Sequence, residues 1–91
     1  MLNSALTTIQ NSLGLHARPA MAFVDAANGF ACDVRVRRTD GDETVDGKSI
    51  MQMLLLAATQ GTELEITCQG SDADRALSTL VRLVESKFDE E

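Results

Sequence analysis

The 91-residue chain is expected to form one domain over residues 1–91 that buries roughly 60–65% of its unfolded surface, which leaves room for one modest core and none for a separate cofactor domain. Its 44% hydrophobic and 24% charged residues are those of an ordinary globular protein, and no apolar run reaches the length of a membrane span, so the chain is not expected to be membrane-embedded. A net charge of −6 excludes the concentrated basic surface that a nucleic-acid binder requires.

Met1–Gln10 lacks the basic-then-apolar form of a signal peptide, which points to a cytoplasmic protein. Within it, Ala5–Gln10 reads as a short strand containing Thr7, Thr8 and Ile9. Its facing is ambiguous, because Leu6 and Ile9 fall on opposite sides. Ala20, Phe23, Val24 and Ala27 then recur at i, i+3, i+4 and i+7, one apolar face of a helix that begins around Ala17. Gly29 follows this run and suits a left-handed C-terminal cap.

In Cys32–Arg38, Cys32, Val34 and Val36 alternate with Asp33, Arg35 and Arg37, the pattern of a half-buried strand. Arg35, Arg37 and Arg38 make too short a basic cluster for a phosphate backbone and read as the strand's exposed face. Thr39–Asp42 reads as a hairpin turn, because Asp40-Gly41 tolerates positive φ, with Glu43–Asp46 as the return strand. Gly47-Lys48-Ser49 precedes a second, shorter helix over Ile50–Ala58, ended by Gln60-Gly61-Thr62.

The clearest strand has Leu64, Ile66 and Cys68 alternating with Glu63, Glu65, Thr67 and Gln69. Ser71-x-x-Asp74 is a capping-box variant, and behind it Ala73, Ala76, Leu77, Leu80, Val81, Val84 and Phe88 form a long helical stripe. The acidic end Asp89-Glu90-Glu91 is expected to fray. Cys32 and Cys68 lie on alternating strands and read as buried thiols in a reducing compartment; with one histidine in the chain they cannot complete a zinc site, and no metal is expected. The order is β-α-β-β-α-β-α. Strand alternation implies a sheet with helices on one face and water on the other, an α+β open-faced sandwich.

His16, the one histidine, stands where the first helix starts, with Arg18 and Pro19 after it. Proline is well placed in a first turn, where its missing N–H costs little. The amides of Ala17 and Arg18 are free donors there and, with the helix dipole, favour an anion. Arg18 adds a planar fork of donors suited to phosphate oxygens. A neutral imidazole nitrogen is a nucleophile toward phosphorus. Position and chemistry together therefore point to an anion site at a helix start, with a simple helix-cap role for His16 as the alternative.

The residues themselves carry more. Gly14-Leu15-His16-Ala17-Arg18-Pro19-Ala20 closely resembles the active-site signature of the histidine-containing phosphocarrier (HPr) family of the bacterial phosphoenolpyruvate-dependent phosphotransferase system. Val45-Asp46-Gly47-Lys48-Ser49-Ile50-Met51 resembles the family's second signature, around its regulatory serine, in the right order and spacing. Gln52 departs from the glycine that many members carry. The resemblance covers nearly the whole chain.

It implies a four-stranded antiparallel sheet with three helices on one face, and a monomeric phosphoryl carrier, not an independent enzyme, that needs no cofactor. Enzyme I would phosphorylate His16 on Nδ1 with help from Arg18, and an enzyme IIA-type domain would take the group in sugar uptake. Ser49 would be the target of an HPr kinase/phosphorylase; its plain alternative is a helix cap. Ile50, Met51 and Leu54 would form an exposed apolar patch for docking on several partners, with Met53 and Leu56 in the core. Two other readings compete. The ending "KFDEE" resembles carriers of the nitrogen-related regulatory branch, whereas Gly47–Met51 points to the sugar branch. A regulatory binding module without phosphotransfer is the third, and the presence of both His16 and Arg18 weighs against it.

Overall fold

Alternation of apolar and polar residues builds the sheet. In the computed structural model, which describes residues 2–89, the strands are β1 (Leu2–Thr8), β2 (Asp33–Arg38), β3 (Thr44–Asp46) and β4 (Glu63–Gln69). They lie in the order β1-β4-β2-β3, and every neighbouring pair is antiparallel. Leu64, Ile66 and Cys68 of β4 pair across with Val36 and Val34 of β2 and with Ala5 and Thr7 of β1, so one face of the sheet is apolar. Helices α1 (Ala17–Asn28), α2 (Ile50–Leu55) and α3 (Ala73–Glu85) cover that face. Phe23 and Ala27 of α1, Met53 of α2 and Leu80 and Val84 of α3 close the core over it. This is the open-faced α+β sandwich that strand alternation implies.

Several local expectations are corrected. The first strand is Leu2–Thr8, not Ala5–Gln10. Leu2 and Leu6 are exposed on the open face, whereas Thr7 and, just past the strand, Ile9 are buried. Apolar residues on both faces hide such a strand from a periodicity test. Gly29 does cap α1, but in the right-handed region (φ −76°, ψ −5°), with its N–H bonded to the carbonyls of Ala26 and Ala27. The link from β2 to β3 spans residues 39–43, and neither Asp40 nor Gly41 takes positive φ. Arg38 organises it instead, donating from Nε and Nη2 to the Asp40 carboxylate at 2.9 and 3.0 Å, which holds that carboxyl below its ordinary range.

The second helix stops at Leu55, well short of Ala58. Ala57 turns the chain with φ 48°, and Arg38 Nη1 donates to the carbonyls of Leu56 and Ala57 at 3.1 and 3.2 Å. Those carbonyls are the orphan acceptors that a helix end must satisfy. Arg38 is therefore a clamp on α2, while Arg37 pairs with Glu65 at 2.8 Å and Arg35 stays exposed. At α3 the N-cap is Asp72, not Ser71, and neither supplies a side-chain cap. The Asp72 carboxylate accepts from the amides of Ala31 and Cys32 at 2.8 and 2.9 Å, which lowers its pKa and staples α3 to the start of β2. The apolar stripe ends differently too. Phe88 reaches the core from a 3-10 turn over Lys87–Asp89 with left-handed backbone, beyond the end of α3. Of the expected frayed end, Glu90 and Glu91 lie outside the described residues. Cys32 and Cys68 are free and buried, and burial pushes the Cys68 thiol up to about 12.

Candidate functional site

The loop from Ile9 to His16 is held from both sides. Asn11 is fully buried; its Nδ2 donates to the Gly14 carbonyl at 2.7 Å, and the Gly14 N–H returns a bond to the Asn11 carbonyl at 3.1 Å. Gly14 has φ +70°, and a Cβ there would sit 2.5 Å from the Ala58 carbonyl oxygen. Only glycine combines that dihedral with that approach. Leu15 is buried and donates its N–H to the same Ala58 carbonyl at 2.8 Å. The chain therefore reaches His16 with its direction already fixed, and the segment after α2 supplies the anchor.

His16 is the N-cap of α1, extended at φ −79° and ψ −172°. Its carbonyl accepts from the Ala20 N–H at 3.0 Å, the first bond of the helix, but its side chain makes no cap bond. The imidazole is half-buried, and Ala17 and Arg18 are exposed. Pro19 lies in the first turn and is buried. The first turn of a helix has no internal acceptor for its amides, and those of Ala17 and Arg18 belong to this turn. No acidic side chain occupies this turn. The positive end of a twelve-residue helix therefore favours an anion next to His16, with Arg18 exposed in the same turn. Among the described residues no group of three or more His, Cys, Asp or Glu side chains could hold a metal ion.

Ser49 is the N-cap of α2, and its Oγ accepts from the Gln52 N–H at 3.3 Å. The Gln52 side chain reaches back, its Oε1 accepting from the Asp46 N–H at 2.8 Å. This is a capping box displaced by three residues toward β3. Asp46 Oδ1 in turn accepts from the Lys48 N–H at 2.9 Å, and Lys48 Nζ donates to the Phe30 carbonyl at 2.7 Å. Between them, a Cβ on Gly47 would lie 2.6 Å from Val34 Cγ1, so the backbone crosses where a side chain would not fit.

Two bonds fix how these starts are related. Leu15 at the beginning of α1 binds Ala58 after the end of α2, and Asn28 at the end of α1 donates to the Lys48 carbonyl at 3.3 Å, just before α2. Ser49 therefore sits at the opposite end of α1 from His16, and twelve helical residues span roughly 18 Å. Between them α2 turns Met51 (73% exposed), Leu54 (39%) and Leu55 (65%) outward. Ile50 is only half-exposed and packs against the core, while Met53 and Leu56 are buried in it. Met21 and Leu13 are also exposed, on α1 and in the loop before it.

Sequence reasoning missed Leu55, Leu13 and Met21 as surface residues and Asn11, Arg38 and Gln52 as supports. Asn11-x-x-Gly14 is a turn signal that could have flagged the first support, and Ser49-x-x-Gln52 is a legible capping box. The reach of Arg38 to α2 has no local signal.

The family model for the HPr component phosphorylation site of the phosphotransferase system matches residues 4–86. A phosphocarrier protein HPr of Pseudomonas aeruginosa is 49% identical over 83 residues, which cover 91% of each chain. A phosphocarrier protein NPr of Proteus mirabilis is 40% identical with the same coverage. The crystal structure of an HPr from Thermoanaerobacter tengcongensis superposes with a TM-score of 0.91 at 38% identity, covering 98% of both chains.

Proposed function

The chain belongs to the HPr family of phosphotransferase-system phosphocarriers, and on that premise we propose that His16 is the residue that carries the phosphoryl group. The family's members are carriers, not independent enzymes. His16 accepts the group on Nδ1 from phosphorylated enzyme I and yields it to an enzyme IIA-type domain. In each transfer one phosphorus–nitrogen bond forms as the donor's bond to phosphorus breaks, and the chain ends as it began. The unit of transfer is a single cytoplasmic chain with one acceptor.

The observation that supports this most is the place of His16 at a helix start. The imidazole stands at the N-cap of α1 without a side-chain cap bond, next in sequence to the first-turn amides of Ala17 and Arg18, donors of the kind that bind phosphoryl oxygens. Arg18 neutralises and orients the phosphoryl oxygens as the bond passes between partners. The partners dock on the apolar surface of Ile50, Met51 and Leu54, extended by Leu55, and desolvate it. Ser49, at the far end of that surface, is the site of regulatory phosphorylation by an HPr kinase/phosphorylase. Its distance from His16 means that it acts on docking and not on the reacting atoms.

With enzyme I and phosphoenolpyruvate the chain should gain one acid-labile, base-stable phosphoryl group, and His16→Ala should gain none. Stoichiometric labelling of that variant would overturn the assignment. Sugar uptake is the branch we favour, on Gly47–Met51. The 40% identity to an NPr supports the nitrogen-related regulatory branch as a second reading. Presenting the phosphorylated chain to IIA domains of both branches decides between them by which domain discharges it faster.

A further inference from the structure

Arg38, the last residue of β2, engages two regions with one guanidinium. Nε and Nη2 hold both oxygens of Asp40, and Nη1 donates to the carbonyls of Leu56 and Ala57. The Asp40 side chain is 65% exposed, so this ion pair adds little to stability by itself. Its effect is geometric. A planar fork held on two carboxylate oxygens is fixed in orientation, and Nη1 is thereby aimed at the chain after α2. That chain needs an external hold. α2 has six residues, under two turns, and Ala57 beyond it has φ 48°, a conformation that costs a residue with a Cβ about 1 kcal/mol. The carbonyls of Leu56, Ala57 and Ala58 then divide between two tasks. The first two accept from Arg38, and the third accepts from the Leu15 N–H and lies against Gly14. Because peptide units are planar, only the two backbone torsions of Ala58 separate the unit that Arg38 holds from the unit that Leu15 binds. Ala58 is buried, which restricts those torsions further. Leu15 directly precedes His16.

We propose that Arg38 is a positioning residue for phosphoryl transfer: guided by Asp40, it fixes the peptide units after α2 and so the anchor that sets the backbone direction at His16. The inference rests on the reading of His16 as the phosphoryl carrier, and it assigns Arg38 an action on the imidazole through Ala58 and Leu15 alone. In-line transfer is sensitive to such an anchor, since a misplacement of about 1 Å can cost about 100-fold in rate. Arg37, next to Arg38 on β2, supplies the contrast. It pairs with Glu65 at 2.8 Å, an ion pair of the same kind that leads along the sheet and not to α2.

The test compares Arg38→Ala, Arg38→Lys and Asp40→Ala with the unmodified chain, and takes Glu65→Ala as the control pair. Circular dichroism checks that each variant is folded at the working temperature. Two quantities are then measured: the single-turnover rate of transfer from phosphorylated enzyme I at saturating carrier, and hydrogen exchange of the Leu15 amide by NMR. Arg38→Ala should slow saturated transfer roughly 3–30-fold and speed Leu15 exchange. Asp40→Ala should move both in the same directions, the rate by about 2–3-fold, with thermal unfolding nearly unchanged, a split that loss of stability alone would not produce. Lysine reaches the carbonyls without the two-pronged hold on Asp40, so Arg38→Lys should recover part of each. Glu65→Ala should move neither. If Arg38→Ala does not fold, Arg38→Lys and Asp40→Ala carry the same comparison. A normal saturated rate in the folded variants would overturn the proposal, and so would a change confined to KM, which would place Arg38 in docking only. Slow transfer with Leu15 protected as in the unmodified chain would overturn it too, because the effect would then bypass the anchor. Should the unmodified chain accept no phosphoryl group, the carrier reading itself fails, and Leu15 exchange in Asp40→Ala separately decides whether Arg38 holds the anchor.

Discussion

α1 and α2 both begin on a half-buried residue with extended backbone, and they use it in opposite ways. At α2 the Ser49 hydroxyl closes on the Gln52 amide, and Gln52 fastens the turn to Asp46. That helix start is capped by its own side chains. At α1 the His16 side chain makes no such bond, and the support comes instead from behind, through Asn11, Gly14 and Ala58. A start without a side-chain cap bond, held rigid from behind, suits a group bound in passing. On the proposed reading, carrying a group and being regulated by one differ in where each helix finds its cap.

The largest test bears on the open start. If Arg18 neutralises the phosphoryl oxygens, Arg18→Ala should fold normally and lose about 2–4 kcal/mol of transition-state stabilisation, by analogy with single oxyanion donors. Because Arg18 is exposed, its loss should leave thermal unfolding nearly unchanged. Arg18→Lys keeps the charge without the planar fork and should recover only part of the rate. Single-turnover transfer from enzyme I measures both variants, and normal rates in both would leave the open amides alone responsible for the site.

The next test bears on what keeps that start rigid. Gly14→Ala combines a left-handed φ, costing about 1 kcal/mol, with a backbone approach of 2.5 Å that overpacking costs of about 1–3 kcal/mol describe. The sum, about 2–4 kcal/mol, corresponds to a melting temperature lower by roughly 10–20 °C for a domain of this size. Gly61 is the control: its φ is +90°, but nothing lies within 4 Å of its Cβ position, so Gly61→Ala should lose only about 1 kcal/mol. Equal losses at the two positions would mean that the contact with Ala58 does not secure the loop.

How much of this could be read in advance depended on where each determinant lies. β4 was legible because Leu64, Ile66 and Cys68 alternate with polar residues along one strand. β1 was blurred because Leu2 and Leu6 face water, which periodicity cannot anticipate. The end of α2 was misplaced because its stop comes from Ala57 at positive φ and from Arg38, eighteen or more residues earlier in the chain. At the site, His16, Arg18 and Ser49 stood out by the company they keep in sequence. The antiparallel placement of α1 and α2, which carries Ser49 away from His16, rests on the bonds Leu15–Ala58 and Asn28–Lys48 and is purely tertiary.

The smallest expected effect on stability bears on the closed start and separates its two roles. Ser49→Ala removes a cap whose bond is long at 3.3 Å, so a loss of about 0.5–1 kcal/mol is expected, with phosphoryl acceptance nearly intact. Gln52→Ala should cost a similar amount, because it frees the Asp46 amide. Ser49→Asp is different. Aspartate is as good an N-cap as serine, so the fold should be unaffected within about 0.5 kcal/mol. The added charge, however, lies at one end of the surface that includes Met51 and Leu54, which a partner must desolvate. The opposing surface on enzyme I then meets a carboxylate that it was not shaped to pair, and docking weakens. The change should appear as a raised KM for the carrier with kcat little altered, since His16 sits at the other end of α1 and its own environment is untouched. If Ser49→Asp lowered kcat at saturating carrier instead, the charge would be acting on the reacting atoms, and the separation of the two helix starts would no longer explain the regulation.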